Sequence, residues 1–335
     1  MSRVKAISLF SGGLDSILAT RLISDQGIDV VAFNVKTLFG ASKTGSASDV
    51  ELGIEQLGVP LKVVSVDKEY IRMLRRPKFG YGKNFNPCID CKIFILRQAK
   101  KFAREIGADF LFTGEVLGER PMSQHGPALR IIETEAGLKG KLLRPLSAKL
   151  LPETLAERRG LVDRSKLLAI SGRSRKPQLQ LAKEFGITVF PSPAGGCLLT
   201  CEEYAKKLCD LFTFKTRVSV ADVALLRLGR HFRVGGNKFV VGRNEGENKE
   251  LLGVRGVHDF CFELPDFVGP VTILQGVKSK AAIYVAARLT AFYSDAAKTG
   301  KVRVNYGKGV MDRSVIVERP SREEVEALRV GQKSQ

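Results

Sequence analysis

The stretch Ser11-Gly12-Gly13-Leu14-Asp15-Ser16, SGGLDS, joins two segments of different periodicity. Before it, Val4 to Phe10 is short, apolar and partly β-branched, which predicts a buried strand. After it, ILATRLISDQG has apolar residues at helical spacing and stops at Gly27; IDVVAFNV then predicts a second strand. The six residues therefore form the turn of a βαβ unit, at the sheet end where such folds bind ligands. Paired glycines let backbone N–H groups wrap an anion, and the helix N-terminus adds partial positive charge. Ser11 and Ser16 add hydroxyl donors. No lysine follows the glycines as a Walker loop requires, and the third glycine of a dinucleotide fingerprint is missing. Asp15 would repel bound phosphates unless a cation lay between, a place that suits Mg²⁺ chelated by polyphosphate. A capped helix start with an acidic first turn gives the same letters.

SGGLDS closely resembles the pyrophosphatase loop (PP-loop), SGGxDS, of ATP-dependent adenylating enzymes that release pyrophosphate. The resemblance implies an α/β fold of the adenine nucleotide alpha hydrolase-like (PP-loop, HUP-type) class, a parallel sheet with flanking helices. It places Ser11, Gly12, Gly13, Asp15 and Ser16 around ATP and Mg²⁺. The alternation continues through PLKVVSV, the helical IFILRQAKKFAREIGA, the strand DFLFTGE and LLRPL. Gly114 and Glu115 thus fall at a ligand-facing strand end and join the expected ATP site.

The chain has 335 residues and a formal net charge of +19, which points to a polyanionic partner. Basic residues crowd the middle of the chain, including Arg158, Arg159, Arg173, Arg175 and Lys176, and again the last third. A solubilising surface is the plainer account of the same charges. No apolar run is long enough to span a bilayer, and the first residues run directly into a strand without a secretory signal. The expectation is a cytoplasmic protein with no membrane partner; nothing in the sequence sets its oligomeric state.

Six cysteines stand at 88, 91, 197, 201, 209 and 261. Without a secretory signal, a CxxC with a remote third cysteine reads better as metal or redox chemistry than as a disulfide framework. Cys88 and Cys91 open a helix in basic surroundings, which favours thiolates. Three roles compete: a [4Fe–4S] cluster held by Cys88, Cys91 and Cys197; a persulfide relay between a CxxC cysteine and Cys197; and structural Zn²⁺ with Cys201 as fourth ligand. Cys209 and Cys261, in apolar contexts, read as core or incidental.

The first 200 residues resemble tRNA thiolation enzymes. NPCIDCK is similar to a Pro-Cys motif of 2-thiouridine synthases, and TGEVLGERPMSQ to a stretch of 4-thiouridine synthases. LLRPL looks like a segment shared by both, and the cysteine trio resembles that of cluster-dependent tRNA thiolases. The chain has no room for the N-terminal ferredoxin-like and THUMP domains of the 4-thiouridine enzymes, so fold and reaction class transfer better than target nucleoside. The text GGNKFVVGRNEGENKELL followed by AARLTAFYSDAAKTGKVRVNYG resembles the RNA-binding module (NFACT-R) of fibronectin-binding-like ribosome-associated proteins. It implies an α+β domain, with a hairpin at Gly-Gly-Asn. Arg243, Asn244 and Asn248 are candidate RNA contacts, with Lys298, Lys301 and Arg303 as phosphate neutralisers. The expected organisation is a thiolation domain over 1–200, a helical linker over 201–212, the RNA-binding domain over 213–320 and a disordered tail over 321–335.

Together these readings describe an ATP-dependent tRNA sulfurtransferase that takes sulfur from sulfide or from persulfide made by a cysteine desulfurase. Asp90 is a candidate for proton transfer, Glu115 for ATP or metal, Ser123 and Gln124 for nucleotide or RNA, and His125 for a base. Two other classes fit parts of the sequence. A PP-loop synthetase acting on a small acid or amide would not need the basic charge. A non-catalytic RNA-binding protein would not need both SGGLDS and the cysteine trio.

Overall fold

The computed structural model describes residues 3–40, 49–191, 197–297 and 300–331. The chain divides into two compact units, residues 1–198 and 199–335. Among the described residues no helix is long and apolar enough to cross a membrane.

The first unit runs β1 (Lys5–Leu9), α1 (Leu14–Ser24), β2 (Asp29–Lys36), α2 (Asp49–Glu55), β3 (Leu61–Ser65), α3 (Asp67–Arg75), α4 (Cys88–Ile106), β4 (Phe110–Thr113), α5 (Gly126–Ala136), β5 (Leu142–Leu143), α6 (Leu155–Arg158) and α7 (Lys176–Glu184). The strands form one parallel sheet in the order β3-β2-β1-β4-β5. Alternate side chains feed two cores, as a sheet covered on both faces requires. Ala6, Ala32 and Phe112 pack with Leu14, Ile17 and Leu18 of α1 on one face. Ile7, Phe33 and Leu111 pack with Ile93, Leu96 and Ala99 of α4 on the other. The chain runs outward from β1 in both directions, so the crevice between β1 and β4 is the switch point where open α/β sheets bind ligands. SGGLDS closes β1 and Thr113-Gly114-Glu115 closes β4, side by side at that point.

Residues 67–75 form α3, whose buried face is Tyr70, Ile71 and Leu74. LPETLAERRGLV yields a single helical turn, Leu155–Arg158, closed by a Thr154–Glu157 capping box.

The second unit holds α8 (Glu202–Phe214), α9 (Val220–Leu225), β6 (Arg230–Val234), β7 (Asn237–Val241), α10 (Glu245–Val254), β8 (Phe260–Glu263), β9 (Thr272–Gln275), α11 (Lys280–Phe292), β10 (Lys301–Gly307), β11 (Arg313–Glu318) and α12 (Arg322–Ala327). Its six strands are antiparallel, in the order β11-β10-β8-β9-β7-β6. The β6–β7 hairpin turns at Gly235-Gly236, with Gly235 at φ +51°. Period-two burial again serves two faces: Phe239, Phe262 and Leu274 meet Ala282, Ala286 and Leu289 of α11. Val240, Cys261 and Ile273 meet Leu225 and Leu251. The disordered tail expected from Ser321 is corrected as far as residue 331. The Ser321 N–H donates to the Glu324 carboxylate at 2.7 Å and its hydroxyl accepts from the Glu324 N–H at 3.2 Å, a capping box that starts α12. The Val330 N–H then donates to the His231 carbonyl at 2.9 Å.

Lys238 is a buried cation of this unit, only 4 % exposed and 3.8 Å from Asp210, which is itself paired with Arg233 at 2.6 Å. Burial, the largest effect, brings the Lys238 ammonium down to about 8 against the pull of Asp210. An unfolded lysine titrates near 10.4, so between about pH 8 and 10.4 the unfolded chain binds more protons and stability rises with pH. Below that window the full penalty is present. Lys238→Met leaves Asp210 its Arg233 partner. It should therefore be more stable than the parent at pH 7 by up to about 3 kcal/mol, an advantage that fades as pH approaches 10. Calorimetry of the full chain at both pH values checks this; a constant difference between the two proteins would refute it.

Candidate functional site

SGGLDS folds into a hydroxyl-lined loop around the start of α1. Gly12 takes φ +78°, a conformation that disfavours side chains. The Ser16 hydroxyl donates to the Gly13 carbonyl at 2.8 Å and accepts from the Ser11 N–H at 3.3 Å; the Gly13 N–H points to the Ser11 hydroxyl at 3.4 Å. The Asn34 amide holds the end of β1 by donating to the Phe10 carbonyl at 2.7 Å. Gly114 explains the glycine of Thr-Gly-Glu: a Cβ there would lie 2.5 Å from the backbone of Asp15 and Ser16. Only a glycine lets the end of β4 press so closely on the loop.

Glu115, 3 % exposed, is a junction between the nucleotide loop and the cysteine helix. It pairs with Lys92 of α4 at 3.3 Å and with Arg144 at 3.2 Å, and Arg144 also grips Glu133. Burial would push the Glu115 carboxyl up, but Lys92 and then Arg144 outweigh it and hold it below the usual range. Both Asp90 oxygens accept backbone N–H groups, from Lys78 at 2.8 Å and Phe79 at 3.0 Å. That clamps the basic loop after α3 onto the start of α4.

The structure brings Cys88, Cys91 and Cys197 into one neighbourhood. Cys88 opens α4 and its thiol donates to Asn86 Oδ1 at 3.1 Å. Cys91, one turn on, accepts a hydrogen bond from the Tyr70 hydroxyl at 3.1 Å. Tyr70 packs between Phe39, which follows β2, and Phe94. The Leu198 N–H donates to the Phe39 carbonyl at 3.1 Å, which returns the exposed Cys197 to the same place. Burial, the largest effect, pushes the Cys91 thiol up to about 11; Tyr70 and Lys92 oppose it, while Cys197 and Cys88 reinforce it. Tyr70 is raised in turn by burial and by Cys91. The glycines before Cys197, Gly195 and Gly196, lie outside the described residues. Three thiols suit an iron–sulfur cluster chemically. Yet the described residues include no group of three or more His, Cys, Asp or Glu side chains gathered to hold a metal ion.

Asp15 has neighbours that sequence reasoning missed. Its carboxyl is raised by burial, against the opposing pull of Arg175, Gln178 and Arg120. The Glu119 carboxyl is raised by burial and then by Asp15. Ser123 and Gln124 build the loop after β4: Gln124 accepts from the Arg120 N–H at 3.0 Å, and its carbonyl accepts from the Gly118 N–H at 2.7 Å. His125 caps α5, with Nδ1 accepting from the Ala128 N–H at 3.4 Å.

Of the RNA candidates in the first unit, Arg158, Arg159, Arg173 and Lys176 are exposed, whereas Arg175 lies half-buried near Asp15. In the second unit, Arg243 pairs with Glu247 at 2.5 Å, Asn244 caps α10, and the Asn248 carbonyl oxygen accepts from the Val271 N–H at 3.0 Å. Lys301 and Arg303 are exposed on β10, Arg303 facing Asp266 at 3.2 Å. Lys298 lies outside the described residues.

Residues 1–150 match the family model described as thiamine biosynthesis protein (ThiI), and residues 229–329 match the NFACT protein RNA binding domain. Both resemblances read from the sequence are thereby met, as is the PP-loop α/β fold. Over 149 residues the chain is 28 % identical to a tRNA-specific 2-thiouridylase MnmA of Bartonella quintana, covering 39 % of this chain and 35 % of that protein. Over 171 residues it is 31 % identical to a probable tRNA sulfurtransferase of Methanothermobacter thermautotrophicus, covering 48 % and 41 %. The chain thus spans well under two thirds of the length of these relatives. A crystal structure of a predicted subunit of tRNA methyltransferase from Methanocaldococcus jannaschii is similar with a TM-score of 0.34 at 15 % identity, over 54 % of this chain and 76 % of that one.

Proposed function

We propose that the protein is an ATP-dependent tRNA sulfurtransferase. The observation that carries this reading is the convergence, at the C-terminal end of one parallel sheet, of a phosphate-cradling loop and the cysteines of α4: Gly114 presses β4 against the loop, and Glu115 pairs with Lys92 beside Cys91. Ser11, Gly12, Gly13, Ser16 and the close-packed Gly114 would cradle the phosphates of ATP, with Asp15 placing Mg²⁺. A pyrimidine carbonyl oxygen attacks the α-phosphorus, pyrophosphate leaves and the ring N3 proton is lost. A sulfur nucleophile then adds to the activated ring carbon, and AMP departs with the oxygen. Adenylation is what makes that oxygen a leaving group, and cationic groups together with Mg²⁺ stabilise the charge that develops. The product is a thiolated pyrimidine, 2-thiouridine or 4-thiouridine.

Cys88, Cys91 and Cys197 would hold a [4Fe–4S] cluster, whose fourth iron supplies a bound sulfide when the cluster is present. In that case the thiols would lose their protons on ligation, and the Tyr70 hydroxyl, already a donor to Cys91, would keep donating to the ligated sulfur. The contrast between exposed Cys197 and Tyr70-bound Cys91 favours a second reading, a relay from persulfide on Cys197. There Cys91 attacks the inner sulfur, hydrosulfide leaves, and a thiol reductant regenerates both cysteines.

The exposed cations of the first unit and the NFACT-like second unit would hold the phosphates of tRNA, so affinity should fall steeply with salt. The test is tRNA-dependent release of AMP and pyrophosphate from ATP by the full chain. A small carboxylic acid or amide that drives the same release without RNA would overturn the reading.

A further inference from the structure

A second set of polar side chains faces Asp15 from sequence far beyond SGGLDS. The chain after β4 is zipped to the segment before α7: Leu117 bridges Ser171 in parallel, and the Gly172 N–H donates to the Leu117 carbonyl at 2.7 Å. The Ser147 hydroxyl locks this seam by accepting from the Leu117 N–H at 2.9 Å and donating to the Ile170 carbonyl at 2.7 Å. Helix α7 then packs along α1. The result sets Glu119, Arg175 and Gln178 around the Asp15 carboxylate.

Gln178 is wholly buried against Asp15, yet neither of its amide atoms makes a hydrogen bond of good geometry. Asp15 Oδ1, Glu119 Oε2 and Arg175 Nε are likewise buried and unpartnered. Leaving such atoms without partners is costly, so their concentration beside a phosphate loop is the signature of a ligand that completes them. The set contains a guanidinium and an amide as well as two carboxylates, so it offers donors to phosphate oxygens in addition to oxygens for the accompanying cation.

We propose that Arg175 and Gln178 belong to the nucleotide site, Arg175 pairing with a phosphate of MgATP and the Gln178 amide bridging Asp15 and the bound nucleotide. This deepens the reading of SGGLDS as an ATP loop and rests on it. It also gives Arg175 a different task from its exposed neighbours Arg173 and Lys176, with which it shares a basic run in the sequence.

The experiment measures MgATP binding to the full chain by calorimetry and tRNA binding by anisotropy. Arg175→Ala should raise the MgATP dissociation constant about tenfold or more, as loss of a charge-assisted bond does, and leave tRNA affinity near that of the parent. Arg175→Lys should recover part of the loss, and Gln178→Met, which keeps the buried volume, should weaken MgATP binding. Lys183→Ala, exposed on α7, should bind MgATP like the parent. Unchanged MgATP binding by Arg175→Ala, or a loss confined to tRNA affinity, would overturn the proposal. A parent protein that does not bind MgATP at all would overturn the ATP-loop reading, and the proposal with it.

Discussion

Cys91→Ser should cut sulfur incorporation into tRNA by about a hundredfold or more while ATP cleavage to AMP continues. The two steps separate because the groups separate. The phosphate loop is built by Ser11 to Ser16 and Gly114, and none of its hydrogen bonds uses a cysteine. Cys88→Ser and Cys197→Ser should act like Cys91→Ser. Cys261, on β8 and buried against Leu225, Leu251 and Ile273 of the second unit, and the exposed Cys209 should be replaceable by serine without effect on thiolation. Cys201→Ser separates metals: it should be silent if three cysteines hold a cluster and damaging if four hold zinc. Anaerobically purified parent protein should carry about four iron and four acid-labile sulfide per chain. Iron-free protein thiolating at the full rate would exclude the cluster, and persulfide trapped on Cys197 would establish the relay. Retention of thiolation by all three single variants would remove the cysteines from the reaction.

The second large effect is expected at Asp15. Asp15→Ala should lower adenylation about 100- to 1,000-fold at limiting Mg²⁺, the scale on which lost transition-state charge stabilisation is usually felt. It should not lower thermal stability. Burial already raises the Asp15 carboxyl, and its Oδ1 has no partner, so the folded protein bears a cost at this position that alanine relieves. A variant that is both inactive and strongly destabilised would place Asp15 in the scaffold. Equal AMP production by variant and parent would remove it from the metal site.

Much of this was legible because the deciding contacts are local. The strand, the glycine turn and the first helix occupy residues 5–24, and each declares itself by periodicity or by glycine. The Gly-Gly hairpin was equally plain. What escaped notice depends on chain segments that meet only after folding. Arg175 and Gln178 reach Asp15 because Leu117 pairs with Ser171, and nothing in a basic run such as Arg173-Ser174-Arg175-Lys176 marks one member as inward-facing. Tyr70 reaches Cys91 from α3, in a segment whose charged and turn-forming residues concealed a three-residue apolar face.

Other residues noticed for chemistry also hold the fold. Asp90 clamps a loop and His125 caps a helix. Asn244 starts α10, and Asn248 ties it to the residue before β9. In each case a short polar side chain satisfies backbone groups at an element's end, a demand that produces the same letters as a binding motif. Gly114 is the opposite case. A strand-end glycine that looked like part of a ligand motif is there because Asp15 leaves no room for a Cβ, and that close approach also shapes the site.

The most direct test is mass spectrometry of nucleosides from tRNA incubated anaerobically with the full chain, MgATP and sulfide. The account predicts a thiolated pyrimidine, formed only when ATP is present and accompanied by AMP. Binding of tRNA and turnover of ATP with no sulfur entering any nucleoside, from sulfide or from a persulfide donor, would contradict it.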